Sequence, residues 1–156
     1  MQLIDKKLFD KITGVAKESQ RKRKNENIHT AESAPCQRLL NAIEPESYVG
    51  PHCHAHPDKD ETIIAVRGKI GVIFFDADGK IAARAVIAAG GSVVGVNIPH
   101  GQFHTMVALE SGSVFFEAKA GPYQPIQPNE RAAWAPAEGS PEAAAYFARL
   151  KAEFAG

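Results

Sequence analysis

The chain has 156 residues, of which 44% are hydrophobic and 23% are charged. A domain of this length buries roughly two thirds of the surface of its unfolded chain and needs no disulfides to fold. Its 18 basic and 18 acidic residues balance, which excludes a general nucleic-acid binder held by phosphate contacts. The composition is ordinary for a globular protein, and we expect partners that are small molecules or other copies of the chain.

The amino terminus favours a cytoplasmic protein that does not contact a membrane. Charged residues interrupt the sequence wherever a signal peptide needs an apolar stretch of about 7 to 15 residues. No run reaches the roughly 18 apolar residues of a membrane span. The two cysteines, Cys36 and Cys53, are too few and too far apart for a disulfide scaffold or a paired-cysteine zinc site.

The first predicted element is an amphipathic helix. Apolar residues from Leu3 to Val15 recur every three or four positions, which indicates one buried stripe, and Asp5 is a suitable N-cap. The polar run from Arg21 to His29 is predicted to be a connecting loop. We therefore assign residues 1–36 to an N-terminal helix and polar arm.

Residues 37–120 have the pattern of a mainly β structure. Short β-prone stretches are separated by glycine, proline and aspartate, as in an all-β barrel or sandwich. Gly68 and the sequence DADG at residues 76–79 predict tight turns. About eight strands in meander order are expected, over residues 37–43, 47–54, 62–67, 69–75, 80–87, 93–98, 103–109 and 113–119.

Residues 121–156 are predicted to form a strap and a final helix, which complete one structural domain. Prolines recur through residues 121–139, and proline resists both helix and central strand. Ser140 is the predicted N-cap of the helix, with Pro141 at its first position. Apolar side chains available for packing are Ala145, Phe147, Leu150 and Phe154.

Three histidines on alternate positions are the most informative feature of the sequence. They are His52, His54 and His56 in PHCHAHPDKDE, which ends on Glu61. Alternate side chains of an extended strand share a face and lie about 7 Å apart, so two neighbouring imidazoles can reach one metal ion. A third reaches it only where the chain bends, and which pair binds stays open.

A second histidine motif lies about forty residues further along the chain. In IPHGQFH, a turn marked by Pro99 and Gly101 precedes His104. Three neutral imidazoles and one carboxylate suit a divalent first-row metal and leave room for water or substrate. His56 and His100 are interpreted as surface residues or as residues beside the metal ligands, and Cys53 as a packing residue.

The two motifs together resemble those of the cupin superfamily, with HxH, a glutamate, Gly68 seven residues later, and PxGxxH. Longer stretches resemble the WbuC family of cupin-fold metalloproteins. These are RKNENIH, CQRLLNAIEPESYVGPHCH, DETIIAVRGKIGVIFFDADG and GPY…WAPAEG. The resemblance implies a single cupin (jelly-roll) β-barrel with an N-terminal and a C-terminal helix. It also implies four metal ligands: His52, His54, Glu61 and His104.

The match departs from the superfamily pattern in three places. General cupin spacing selects His54 and His56, whereas a proline directly before His52 matches the WbuC pattern and favours His52 and His54. Ala108 stands where the second motif has an asparagine, and Val93 stands where it has a glycine. Neither position is a metal ligand, so the implied site is retained.

The resemblance also suggests a substrate-binding role for the polar arm, which recurs before the barrel in that family. An ordered arm covering the barrel mouth would bring Arg23, Asn27 and His29 to an anionic or polyhydroxylated substrate. Loss of Arg23 or His29 is then expected to weaken ligand binding and leave the metal content unchanged.

The function implied is that of a metal-binding cupin holding one divalent transition metal ion: Fe, Mn, Ni or Zn. Such an ion is a Lewis acid or an activator of water or dioxygen, as in a metal-dependent isomerase or dioxygenase. The association of WbuC proteins with O-antigen and lipopolysaccharide sugars suggests a sugar-related substrate. The alternative is a non-catalytic cupin whose metal orders a pocket for binding or sensing a small molecule. Cupin barrels commonly pair through outer strands, so we expect a homodimer.

Overall fold

The computed structural model describes residues 1–155 and shows two β-sheets packed face to face between two helices. The helices are α1 (Lys6–Glu18) and α2 (Ala143–Ala152), and a 3₁₀ turn covers Pro128–Glu130. The strands are β1 (Arg23–Asn27), β2 (Cys36–Ile43), β3 (Glu61–Arg67), β4 (Lys69–Phe75), β5 (Ile81–Ala88), β6 (Gly95–Ile98), β7 (Phe103–Ala108) and β8 (Ser113–Ala120). The mainly β class with terminal helices is confirmed.

The strand order differs from the predicted meander. One sheet has the order β1-β2-β8-β3-β6, the other has the order β5-β4-β7, and all pairs are antiparallel. The turn at Gly68, whose φ is +72°, carries the chain from β3 in the first sheet to β4 in the second. Because the chain crosses between sheets, several consecutive strands, such as β2 and β3, are not neighbours, which is the jelly-roll arrangement rather than a meander.

Three apolar clusters hold the layers together. The inner cluster fills the space between the sheets with branched side chains such as Ile63, Ile70 and Val72. On the outer face of the five-stranded sheet, Ile12 of α1 packs with Leu40 and Val114. On the outer face of the other sheet, Phe147 and Leu150 of α2 pack with Ile73, Phe75 and Val107. Each fully buried aliphatic side chain contributes about 1.5 to 3 kcal/mol to stability.

Helix α1 begins where the sequence predicts but buries a narrower stripe. The Asp5 carboxylate accepts a hydrogen bond from the backbone N–H of Leu8 (2.9 Å), so the predicted N-cap is confirmed. Ile12 and Ala16 are buried, whereas the predicted stripe residues Leu3, Ile4 and Val15 are exposed. Leu3 and Ile4 precede the helix and therefore do not share its periodic face.

The predicted loop over residues 21–29 is wrong, because it contains β1. This strand pairs along β2, with Arg23 opposite Ile43 and Asn27 opposite Leu39. Its sequence, RKNEN, has no apolar residues because the strand is at the sheet edge and lines a polar cavity. Polarity was therefore mistaken for the absence of regular structure.

Two further predictions of local structure are wrong. The strand expected over residues 47–54 is absent from the described chain, apart from isolated bridges at His52. Helix α2 begins at Ala143, with Glu142 at its N-cap, rather than after Ser140. The backbone carbonyl of Ser140 accepts from Ala143 in a turn before the helix, and its hydroxyl makes no cap.

The predicted turn at residues 76–79 is confirmed. The Asp76 carboxylate accepts hydrogen bonds from the backbone N–H groups of Asp78 and Lys80, and Gly79 has φ +82°. Within residues 1–155, neither helix is long and apolar enough to cross a membrane.

Candidate metal site

The histidine segment is extended without being a regular strand, because two other parts of the chain hold it. His52 and His104 exchange backbone hydrogen bonds of 3.1 and 2.9 Å, which fixes the segment against the start of β7. The His54 carbonyl accepts a 2.7 Å bond from the N–H of Gly101. The second motif thus holds the first at two points and sets the distance between their imidazoles.

Residues 128–132 hold the other side of the histidine segment. The backbone N–H of Cys53 donates to the Glu130 carbonyl, and that of Ala132 donates to the Pro51 carbonyl. The buried Glu130 carboxylate accepts from the N–H of Ala55 at 2.8 Å and from that of Gln127 at 2.8 Å. We therefore assign a positioning role to Glu130, which sequence reasoning missed because the histidine segment that it holds is more than seventy residues away.

His52, His54 and His104 converge in one place. Each offers a ring nitrogen within 4.8 Å of the nitrogens offered by the other two, and all three side chains are buried. Among the described residues, His56 does not join this group: its side chain is exposed and its Nδ1 accepts from the N–H of Asp58. The geometry therefore brings together the pair that the WbuC pattern selects.

Backbone carbonyls orient two of the three rings. Nδ1 of His52 lies 3.0 Å from the Gly50 carbonyl oxygen, and Nδ1 of His104 lies 2.9 Å from that of Gln102. A carbonyl oxygen only accepts, so each Nδ1 carries a proton, and in the neutral ring each Nε2 then presents a lone pair. In histidines that bind metal ions, a bond of this kind fixes both the tautomer and the direction of the ring.

Glu61 begins β3 and places its carboxylate beside the imidazoles. Its Oε2 lies 3.1 Å from Nε2 of His104, and its Oε1 lies 3.6 Å from Nε2 of His54. Burial alone raises the pKa of Glu61, but contacts with His104 and His54 and the charge of Lys119 hold it well below its usual range. The group nearest the imidazoles is therefore a carboxylate anion.

The donor set fits a divalent cation. Nε2 of His54, Nε2 of His104 and Oε2 of Glu61 are buried, and within residues 1–155 none of them makes a well-aligned hydrogen bond. Burial, followed by the proximity of His104, lowers the pKa of His52 to about 3, so this imidazole is neutral at pH 7. Neutral imidazoles and a carboxylate are the forms that bind a metal ion, and buried polar atoms normally have a partner.

A buried polar chain continues from Glu61 into the cavity wall. Nζ of Lys119 on β8 lies 3.2 Å from Oε1 of Glu61 and 2.5 Å from Oε1 of Glu117. Oε2 of Glu117 accepts a 2.8 Å hydrogen bond from the side-chain amide of Asn41 on β2. Burial and the charge of Glu61 raise the pKa of Glu117 to about 7, whereas the two carboxylates outweigh burial and raise that of Lys119.

Sequence reasoning missed Lys119, Glu117 and Asn41 as members of the site. A signal was present in SVFFEAKA, the sequence of β8, where alternate residues share one face. Glu117 and Lys119 follow Phe115 on the face that carries the inner core, so a polar interior was indicated there.

The site opens into a cavity of about 870 Å³, which Arg23, Asn27 and His29 all line. The Arg23 guanidinium donates to the Ser47 hydroxyl, the Tyr48 carbonyl and the Glu138 carboxylate. His29 is buried and its Nδ1 contacts the backbone of Arg38. The three residues are thus at the cavity, and a role in substrate binding stays a prediction.

His100 lies outside the three-histidine group. Its side chain is about half exposed, and its Nδ1 lies 2.9 Å from a carboxylate oxygen of Asp60. The same Asp60 oxygen accepts from the backbone N–H of His100. Asp60 is the residue directly before Glu61, so this pairing attaches the turn before β7 to the start of β3.

A family model described as "Domain of unknown function (DUF6016)" matches residues 4–87, which is more than half of the chain. The matched region includes His52, His54 and Glu61, whereas His104 and Lys119 lie beyond it. Among curated proteins, none matches this chain.

Solved structures resemble the chain in fold. The structure of KdgF from Halomonas sp. is 16% identical, with a TM-score of 0.52 over 69% of this chain and 85% of that one. Oxalate oxidase in complex with the substrate analogue glycolate is 16% identical, with a TM-score of 0.55 over 70% of this chain and 56% of that one. A conserved protein of unknown function from Streptococcus pyogenes, SPY1581, is 11% identical, with a TM-score of 0.50 over 68% and 80%.

These likenesses give the fold its name. KdgF and oxalate oxidase are cupin-fold proteins, so the chain has the cupin fold that its two motifs predict. At 11 to 16% identity, the likeness extends to the fold alone. Any activity has to be inferred from the residues of this chain.

Proposed function

The chain belongs to the family described as a domain of unknown function, DUF6016, and we propose that it is a metal-dependent cupin. In this proposal His52, His54, His104 and Glu61 hold one divalent transition metal ion: Fe, Mn, Ni or Zn. The observation that carries the proposal is the convergence of three buried imidazoles within 4.8 Å, with a carboxylate beside them. Unpartnered buried Nε2 atoms on His54 and His104 support it further.

We propose that the substrate is a small polar, sugar-related molecule of lipopolysaccharide or O-antigen metabolism. The WbuC-like sequence stretches support this class, and so does a cavity wall rich in amides, including Asn25, Asn27 and Asn41. Amide side chains both donate and accept hydrogen bonds, as recognition of hydroxyl groups requires. When bound, the metal would supply Lewis-acid activation of a carbonyl or hydroxyl, or activation of water or dioxygen.

The protein's own residues supply orientation around such a site. The Gly50 and Gln102 carbonyls keep the Nε2 atoms of His52 and His104 directed inward. Lys119 holds Oε1 of Glu61, so that Oε2 faces His104. Burial of all four ligand side chains excludes bulk water from that side of the cavity.

Reconstitution and turnover test the proposal. Purified protein would be loaded separately with iron(II), manganese, nickel or zinc, analysed for metal content, and incubated with a panel of sugar nucleotides and keto-sugars. About one metal ion per chain and conversion of a panel member are expected. Saturable binding without conversion favours the non-catalytic sensing cupin, and failure to take up any of the four metals contradicts the proposal.

A further inference from the structure

We propose that Lys119 binds an anionic oxygen of the ligand, and that the ligand class is small carboxylates such as sugar acids and hydroxy acids. The inference rests on the proposed metal site and adds to it the chemical group recognised beside the metal. It assigns a role in ligand binding to a residue that neither sequence motif contains.

The position of Lys119 supports this role. It is directly opposite Glu61 in the register of β8 and β3, and its side chain faces the cavity. The side chain is 21% exposed, compared with 3% for Glu61 and 9% for Glu117. Lys119 is therefore the member of the buried polar chain that is most accessible to a molecule in the cavity.

The hydrogen-bonding capacity of Lys119 is not exhausted. A protonated ammonium group has three donors. Among residues 1–155, its side-chain partners are two carboxylate oxygens, Oε1 of Glu61 and Oε1 of Glu117. One N–H is available to a ligand oxygen, and a bond from an ammonium to an anionic oxygen is among the stronger hydrogen bonds in proteins.

The charge of the site favours an anion once the metal is bound. A divalent cation held by the imidazoles and Glu61 would add two positive charges beside Lys119, since the imidazoles are neutral ligands. The loaded cavity therefore attracts an anion more strongly than the metal-free cavity does.

The spacing suits a carboxylate in particular. The Glu61 carboxylate already spans the distance from Nε2 of His104 (3.1 Å) to Nζ of Lys119 (3.2 Å) with its two oxygens. A ligand carboxylate has the same span between its oxygens, so one oxygen would accept from Nζ of Lys119 while the other would be available to an ion held by the imidazoles. A neutral hydroxyl would reach the metal or Lys119 but would not neutralise the charge of either.

Titration calorimetry with glycerate and its neutral analogue glycerol tests the inference on manganese-loaded protein. Glycerate is expected to bind at least about tenfold more tightly than glycerol. Lys119→Met should remove most of that preference, Lys119→Arg should retain it, and glycerate should not bind measurably to the metal-free protein. Lys59→Met is the matched control, because Lys59 is a cation of the cavity mouth that contacts the Gln124 side chain, and it should change the preference less than about twofold.

The double variant Glu117→Gln/Lys119→Met separates a direct bond from an effect of net charge. It removes one basic and one acidic group together, so glycerate binding should stay weak if Lys119 donates directly to the ligand. Recovery of binding in the double variant, equal glycerate binding by Lys119→Met and wild type, or no glycerate binding by loaded wild type would each overturn the inference. Metal content is measured first on every sample, so failure of the wild type to take up metal counts against the proposed function instead.

Discussion

His52 and His104 face each other across an isolated antiparallel bridge, with both backbone hydrogen bonds formed and ring centroids 4.6 Å apart. They are 52 positions apart in sequence, each in one of the two histidine motifs. The bridge therefore couples the motifs through the backbone before any side chain takes part. The fold therefore determines the geometry of a metal site at this place, since the main chain sets the separation of the two imidazoles.

Replacement of His52 should have a larger effect on metal binding than replacement of His56. His52 is buried in the three-histidine group, whereas the His56 side chain is 59% exposed. We expect His52→Ala to weaken metal affinity by about 100-fold or more, since even residues behind the ligands commonly contribute about 10- to 100-fold. His56→Ala should be neutral within about twofold. Competition with a chromophoric chelator measures both, and the reverse ranking would assign the site to His54 and His56.

Glu130→Ala should weaken metal binding although Glu130 contacts no metal. Its carboxylate holds the Ala55 N–H beside His54 and the Gln127 N–H of the strap. Loss of this clamp frees the histidine segment on one side, and we expect about tenfold weaker metal affinity. Asn129→Ala, an exposed neighbour in the same turn, is the control. Equal metal affinities of the two variants would show that the strap does not position the ligands.

Arg23 and Arg21 should differ in their contributions to stability. Both donate to Glu138, but the Arg23 side chain is 16% exposed and that of Arg21 is 64% exposed. Arg23→Ala also leaves the Tyr48 carbonyl and Ser47 hydroxyl without this donor, which should cost about 1 to 3 kcal/mol of unfolding free energy. Arg21→Ala should cost about 0 to 1 kcal/mol. Urea denaturation of both variants checks the ranking, and equal losses would contradict it.

The pairing of Glu138 with these arginines should make stability sensitive to acid. Burial raises the pKa of Glu138, but the hydrogen bonds from Arg21 and Arg23 outweigh it and lower the pKa from 4.5 to about 2. A carboxylate whose pKa falls on folding contributes stability that is fully present above its unfolded value and is lost as pH falls toward 2.

Glu138→Gln should therefore flatten the decrease in unfolding free energy between pH 4.5 and 2. Denaturant titrations across that interval measure the slope, with Glu46→Gln, an exposed carboxylate, as the comparison. A slope in Glu138→Gln that equals the slope of the wild type would mean that the arginine pairs do not stabilise the folded state.

The sequence was sufficient to predict elements whose turn residues, caps and apolar pattern match the conformation that the rest of the fold requires. Strand β4 has the predicted bounds, Lys69–Phe75, because Gly68 and DADG mark its ends and apolar residues fill both of its faces. The N-cap of α1 at Asp5 was predicted from equally local sequence information. Convergence of His52, His54, Glu61 and His104 was predicted from the resemblance, whereas spacing alone left His56 open.

Predictions failed where long-range contacts decide the conformation. Strand β1 is an edge strand that pairs with β2, and its side chains line a polar cavity instead of packing in an apolar core. Its sequence is therefore polar. The segment around His52 is shaped by Glu130 and His104, neither of which is near it in sequence. Lys119 and Glu117 are charged residues between the two sheets, and their burial is tolerated because the pairing of β8 with β3 places Lys119 between two carboxylates.

X-ray absorption spectroscopy of manganese-loaded or zinc-loaded protein tests the central claim most directly, because it reports the ligands of the bound ion. The account predicts one ion per chain whose coordination shell contains three imidazole nitrogens and carboxylate oxygen, with one imidazole lost in His104→Ala. A shell with fewer than three imidazoles in the wild type, or a spectrum unchanged by His104→Ala, would contradict the convergence of the two motifs on one ion.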